Sequence, residues 1–264
     1  MTGPVGKSRL RKLLRRPIRS SGSRAFTLVD VLVTLAVVVL LIGIMLPGMG
    51  RVREIARQVV CKSNLRQLGL GLMLYADSSQ DQLPYSVFID PRQPKENEID
   101  YAPEDMMTLR LSRQMGMRTQ TNWDGLGLLY ESEVLPSQEI FYCPSHHGQH
   151  PFEKYADAWR TPRVELVGNY QYRGQGPNGS TRLTFIEPSR ASIAADGLRA
   201  IEDYNHEVGL NVLRADLSLF WWPDPLGLIG DFVESASQDS YQTYGFDLLW
   251  DQIDAPNENI LPNR

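Results

Sequence analysis

The sequence predicts an α+β fold in which one long N-terminal helix, apolar at first and amphipathic after that, packs on an antiparallel β-sheet domain. Three observations predict it. Residues 26–46 form an almost unbroken apolar run with a single acid, Asp30. The stretch after it keeps apolar residues at three-to-four spacing with bases on other faces. Residues 82–264 then break into short segments separated by Gly, Pro, Asn and Ser. The chain divides into a basic leader (1–25), a membrane helix (26–47), an amphipathic extension (48–80) and an extracytoplasmic globular domain (81–264).

Charge supports this division. Residues 1–25 carry eight Lys/Arg and no acid, so the formal net charge of −4 averages a head of +8 and a remainder of −12. With 42% hydrophobic and 22% charged residues the bulk is neither disordered nor polytopic. Two cysteines exclude a disulfide-rich scaffold and a four-thiolate zinc site. Residues 67–264 hold 14 bases against 29 acids, so they lack the basic stripe that a nucleic-acid partner requires.

The apolar run is 21 residues, and at about 1.5 Å each it reaches roughly 30 Å, the thickness of a bilayer core. A buried core helix is seldom apolar on every face for so long. A cleaved secretory signal has a shorter core and a small-residue cleavage site after it, whereas Pro47, Gly48, Arg51 and Arg53 follow here. Both flanks are basic and the N-terminal one more so, which places the N-terminus in the cytoplasm and the acidic remainder outside the inner membrane. Beyond the span Val52, Ile55, Val59, Leu65, Leu68, Leu72 and Tyr75 predict a helical face, and the polar stretch before Pro84 predicts a stop near Ser78. Pro47 and Gly48 mark a kink or locally melted point.

In the remainder, residues 104–117 read as a short helix and residues 123–130 as a capped turn leading into another. Residues 139–143, 169–172, 182–186 and 191–195 read as strands, and residues 210–214 with 217–222 as a hairpin.

The junction Ser23-Arg24-Ala25-Phe26-Thr27-Leu28-Val29-Asp30, followed by the apolar run, resembles the class III signal of type IV prepilins and type II secretion pseudopilins. The resemblance implies cleavage by a prepilin peptidase after Ala25 and N-methylation of Phe26. It implies assembly with other pilin or pseudopilin subunits into a filament, with Asp30 where the family has glutamate and Pro47 where it has its helix proline. A carboxylate within a bilayer needs a partner, and the family supplies one in the amine that cleavage creates on Phe26. A wet, interfacial Asp30 is the plainer alternative. Ala before the cut replaces the commoner Gly, and Asp replaces Glu.

Further patches resemble a large bacterial family of prepilin-like proteins: Cys61 with residues 64–70, Phe141-Tyr142-Cys143-Pro144-Ser145, and Asn169-Tyr170-Gln171-Tyr172. That family ends with His, nine residues, then Asp-Gly. Here His206 and Asp216 keep the spacing, but Leu217 replaces Gly, so an ordinary type I turn or a longer loop is expected, because Leu resists positive φ.

Several clusters invite chemistry. His206, Asp216 and Asp196 could meet at the hairpin base as a dyad or cation site, or serve as structural hydrogen bonds and turn carboxylates. The resemblance to secretion pseudopilins, some of which hold calcium in a late loop, implies a calcium site to which Asp196, Asp203 and Asp216 could supply oxygens, although no fixed ligand spacing is present. Cys143, His146, His147 and His150 could bind zinc or form a solvated, mobile loop. Cys61 and Cys143 lie where disulfides persist and form either a bridge or two separate thiols. Trp221 and Trp222 read as packing aromatics. No phosphate loop or nucleophile elbow is found, and a structural rather than catalytic role is expected. The contrasting class is an anchored enzyme or binding module that never polymerises.

Overall fold

The computed structural model describes residues 26–89, 105–112, 122–206, 208–236 and 242–255. The basic leader, with Ala25, lies outside the described residues. Two compact units divide the chain, Met1–Met49 and Gly50–Arg264.

The first unit contributes the start of α1 (Leu28–Ser78). Its apolar part, Leu28–Leu46, is 19 residues long, sufficient to cross a membrane, and none of it is buried. The helix opens on a reciprocal cap. The Thr27 backbone N–H donates to Asp30 Oδ2 at 3.0 Å, and the Asp30 N–H donates to Thr27 Oγ1 at 3.2 Å. Thr-x-x-Asp is the capping-box arrangement, which satisfies two otherwise orphaned donors. The backbone is helical through Pro47 and Gly48, so the local melting expected there does not occur; a proline costs such a helix one i→i−4 bond.

In the second unit the remainder of α1 ends at Ser78, as its polar C-terminal sequence predicts. Cys61, Leu65, Leu68 and Leu72 are fully buried on one face. Val52, Ile55 and Val59, expected on that same face, are instead 65%, 60% and 63% exposed. They line the opposite side with Leu70, Met73 and Leu74, because the buried arc follows residues 61, 65, 68 and 72, and 52, 55 and 59 lie out of phase with it.

The main sheet is a four-stranded antiparallel meander of β3 (Tyr170–Tyr172), β4 (Ser192–Asp196), β5 (Gly209–Arg214) and β6 (Leu219–Pro223). A second, two-stranded sheet pairs β1 (Thr108–Arg110) with β2 (Leu166–Val167), and the short helices α2 (Gly127–Glu131) and α3 (Phe152–Tyr155) fall between them in the chain. Alternation along the strands buries both faces of the main sheet. Tyr170, Tyr172, Ile193 and Leu213 join Leu65, Leu68 and Leu72 of α1 in one cluster. Leu210, Val212 and Ala195 join Ile229 and Val233 of α4 (Leu228–Ala236) and Leu249, Trp250 and Ile253 of α5 (Gln242–Asp254) in another. Asp224 caps α4, its carboxylate accepting from the backbone N–H groups of Leu228 and Ile229 at 2.7 and 2.9 Å. The fold is therefore α+β, and α4 and α5 cover the sheet face opposite α1.

Three local expectations are corrected. Of residues 104–117, the described part, 105–112, holds the strand β1 in place of the expected helix. Arg110 pins it there, being 4% exposed and donating to the carbonyls of Ala158, Trp159, Thr161 and Val164 at 2.7–3.2 Å. Residues 139–143 hold a 3-10 turn, Gln138–Phe141, in place of a strand. Two asparagines satisfy what a ladder would: the Asn169 N–H donates to Phe141 O at 2.9 Å, its Oδ1 accepts from Cys143 N–H at 3.1 Å, and the Asn64 amide donates to Tyr142 O at 3.0 Å. Residues 182–186 likewise hold a 3-10 turn, Leu183–Phe185, tied to Asp81 through the Leu183 and Thr184 N–H groups and the Thr184 hydroxyl.

Candidate functional site: a buried histidine between two carboxylates and a disulfide

Residues from four separate parts of the second unit converge on His206, whose side chain is fully buried. The residue lies in the connection between a 3-10 turn, Ile201–Asp203, and β5. Its Nδ1 is 2.7 Å from Glu54 Oε1 on α1. Its Nε2 is 3.5 Å from Asp196 Oδ2 at the end of β4 and 3.8 Å from Cys143 Sγ. Trp221 closes one side, its ring centroid 5.8 Å from the imidazole in an edge-on arrangement.

The sheet register places Asp196. Ala195 lies opposite Val212, which brings Asp196 beside Asn211. Asp196 Oδ2 accepts from both the backbone N–H and the side-chain amide of Asn211, at 2.6 and 2.9 Å. Asp196 Oδ1 is buried without a hydrogen-bond partner. Burial pushes the Asp196 carboxyl up to about 6, against the opposing pull of His206 and of the Asn211 donors. Glu54 also accepts from the Ser145 hydroxyl, at 2.9 Å on Oε1 and 3.0 Å on Oε2. With a carboxylate on Nδ1, the ring carries its proton there and turns Nε2 toward Asp196 and the sulfur.

Cys61 and Cys143 form a disulfide, with Cα atoms 5.2 Å apart. It ties α1 to the segment before Pro144 across 82 residues. Cys61, Cys143, Asp196 and His206 place one ligand-type atom each within 4.8 Å of one another, and all four are buried.

Other sequence-predicted residues lie elsewhere. Asp216 does not face His206. It is exposed at the β5–β6 turn, where Oδ1 accepts from Ser218 N–H at 2.8 Å. A strand separates the pair, since His206 precedes β5 and Asp216 follows it. Asp196 ends β4, whereas the Asp216 N–H bonds to Pro188 O beyond its start. The three aspartates considered for calcium are therefore spread over both ends of the sheet.

The histidine loop is ordered by its rings. His146 Nδ1 lies 2.8 Å from Asn205 Oδ1, and its Nε2 accepts from the His150 N–H at 3.2 Å. His150 Nδ1 meets the Tyr155 hydroxyl at 2.7 Å, and its Nε2 accepts from Arg199 at 3.3 Å. Burial lowers the basicity of both rings, and with the nearby Arg199 and Lys154 charges it takes His150 down to about 4. Every nitrogen of these two rings is engaged and Cys143 is bridged, and among the described residues Cys143, His146, His147 and His150 do not come together as a ligand cluster.

Sequence reasoning missed Glu54, Ser145, Asn205 and Asn211. One signal was present: Glu54 is the single acid among five bases in residues 51–66.

A membrane-length helix in one unit, and in the other an α+β domain holding a buried His–carboxylate–cystine cluster, define the class. Residues 50–193, more than half of the chain, match the family described as protein of unknown function (DUF1559), and the chain belongs to that family. The match takes in Glu54, Cys61 and Cys143 and ends before Asp196 and His206. No curated protein and no solved structure matches the chain.

Proposed function

We propose that the chain is a prepilin-like structural subunit. A prepilin peptidase removes the basic leader after Ala25, and Phe26 becomes the N-methylated N-terminus. The mature chain stays in the inner membrane, its N-terminus cytoplasmic and its acidic domain outside. There its helix packs with those of other pilin or pseudopilin subunits into a pilus or secretion pseudopilus.

The observation that carries this reading is unburied apolar helix surface. In the first unit all of Leu28–Leu46 is exposed. In the second, Val52, Ile55, Val59, Leu70, Met73 and Leu74 face away from the domain core. Lipid covers the first set; the second lies beyond the membrane-length run and calls for protein neighbours. The full burial of His206 and Asp196 supports a scaffolding rather than a catalytic cluster, since no substrate reaches them. Mass spectrometry of the N-terminal peptide from membranes of a host with an active prepilin peptidase tests the proposal. A chain starting at methylated Phe26 is expected; a chain retaining Met1 there would overturn it and leave a plain membrane anchor.

A further inference from the structure

We infer that the cystine cluster is a redox-switched site for a zinc-class divalent cation, held by Cys61, Cys143, Asp196 and His206 when the two cysteines are reduced.

The donor set is two sulfurs, one imidazole nitrogen and one carboxylate oxygen, all within 4.8 Å of one another. A tetrahedral zinc ion, with bonds of about 2.0–2.3 Å, sets its ligand atoms roughly 3.3–3.8 Å apart. The separations of His206 Nε2 from Asp196 Oδ2 (3.5 Å) and from Cys143 Sγ (3.8 Å) already have that size. The two sulfurs are closer because they are bonded, and cleavage of that bond forces them apart by van der Waals repulsion.

Two further observations point to a cation. Asp196 keeps Oδ1 fully buried with no partner, a polar atom that the oxidised fold leaves unsatisfied. Glu54, meanwhile, binds Nδ1 of His206 and leaves Nε2 directed into the cluster. A carboxylate on the far nitrogen of the ring is the arrangement that orients metal-bound histidines and raises their basicity.

The switch balances as thiol–disulfide exchange. A dithiol reductant gives two electrons and two protons to the Cys61–Cys143 bond, leaves as its own cyclic disulfide, and yields two thiols. Zinc then displaces both thiol protons to solvent and binds two thiolates, neutral His206 and ionised Asp196. A newly made chain starts in the thiol form, so the cation would keep both sulfurs paired within one chain until an oxidant joins them.

The full-length protein in detergent, reduced with a phosphine without oxygen, is titrated with zinc against a chromophoric chelator and separately with cobalt. Expected are one zinc per reduced chain, none per oxidised chain, and a cobalt spectrum with thiolate charge-transfer and four-coordinate ligand-field bands. Asp196→Asn and His206→Gln should each weaken zinc binding, and Glu54→Gln by about 10–100-fold, while exposed Asp216→Asn leaves it unchanged. A reduced wild-type chain that binds no zinc, or a cobalt spectrum without four-coordinate thiolate bands, overturns the inference, and neither result depends on a variant folding. Reduced Asp196→Asn and His206→Gln chains that bind zinc as tightly as wild type overturn it too.

Discussion

His206 and Glu54 are separated by 152 positions in the chain, yet Nδ1 and Oε1 meet at 2.7 Å. The contact anchors the connection before β5 to α1. The two ends differ in exposure: the imidazole has no solvent contact, whereas the Glu54 side chain is 34% exposed. The loss on removing Glu54 is therefore mainly that of a buried donor left without an acceptor, about 1–3 kcal/mol, and not that of an ion pair, which solvent screens. Glu54→Ala should lower the unfolding midpoint by that amount, while Glu54→Gln, which keeps a carbonyl acceptor, should recover most of it. Thermal or denaturant unfolding followed by circular dichroism measures both, and equal losses would show that the bond contributes little.

The Cys61–Cys143 bridge closes a loop with a sequence separation of 82 residues. In the chain-entropy account, a loop of that length restricts the unfolded state by about 4.5 kcal/mol. The double replacement of Cys61 and Cys143 by Ala should cost that much in metal-free buffer. A midpoint unchanged from the oxidised wild type would mean that the rest of the core already fixes these segments.

Asp196 gives a pH dependence whose sign is opposite to that of an ordinary salt-bridged carboxylate. Its folded pKa is about 6 against an ordinary 3.8, so the folded chain holds this proton more tightly than the unfolded one. The resulting stabilisation is complete below about pH 4 and is lost as pH rises to about 6, by roughly 3 kcal/mol. Asp196→Asn removes the titration. The stability of wild type relative to this variant should fall between pH 4 and pH 7, and parallel curves across that range would refute the assignment.

How far the sequence discloses this fold depends on whether a signal is local. The end of α1 at Ser78, β3, β4 and the β5–β6 hairpin are legible because hydrophobic periodicity and turn residues lie within each segment. The 3-10 turns at Gln138–Phe141 and Leu183–Phe185 are not, because Asn64, Asn169 and Asp81 replace the strand partner that their apolar residues imply. Arg110 is similar: a charged residue in a short apolar stretch looks helical and exposed until four carbonyls 48–54 residues away enclose it. At the site, His206, Asp196 and the cysteines stand out by type, whereas Glu54 looks like one more charge on a helix surface. The His–x9–Asp spacing suggests a pair, but β5 is extended and carries its ends apart. The Thr27–Asp30 cap, by contrast, is written in four consecutive residues and could have been read directly.

The turn that ends this spacing gives the last prediction. The Leu217 N–H donates to Arg214 O and the Arg214 N–H to Ser218 O, each at 3.0 Å, which closes a tight turn ending on one left-handed residue. That residue is Leu217, at φ 66°, so the leucine takes the positive φ it was expected to avoid. A leucine there costs about 1–2 kcal/mol relative to glycine. The compensation lies on α1: Leu217 Cδ2 would stand 3.2 Å from a Cβ placed on Gly69, so the side chain packs over the bare helix backbone. Leu217→Gly relieves the strain but loses a half-buried side chain worth about the same, and should leave stability within about 1 kcal/mol of wild type. Leu217→Ala keeps the strain and loses the packing, and should cost about 1–2 kcal/mol. Unfolding midpoints for the two variants decide the matter: the glycine variant must be the more stable, and the reverse order would mean that backbone strain plays no part in this turn.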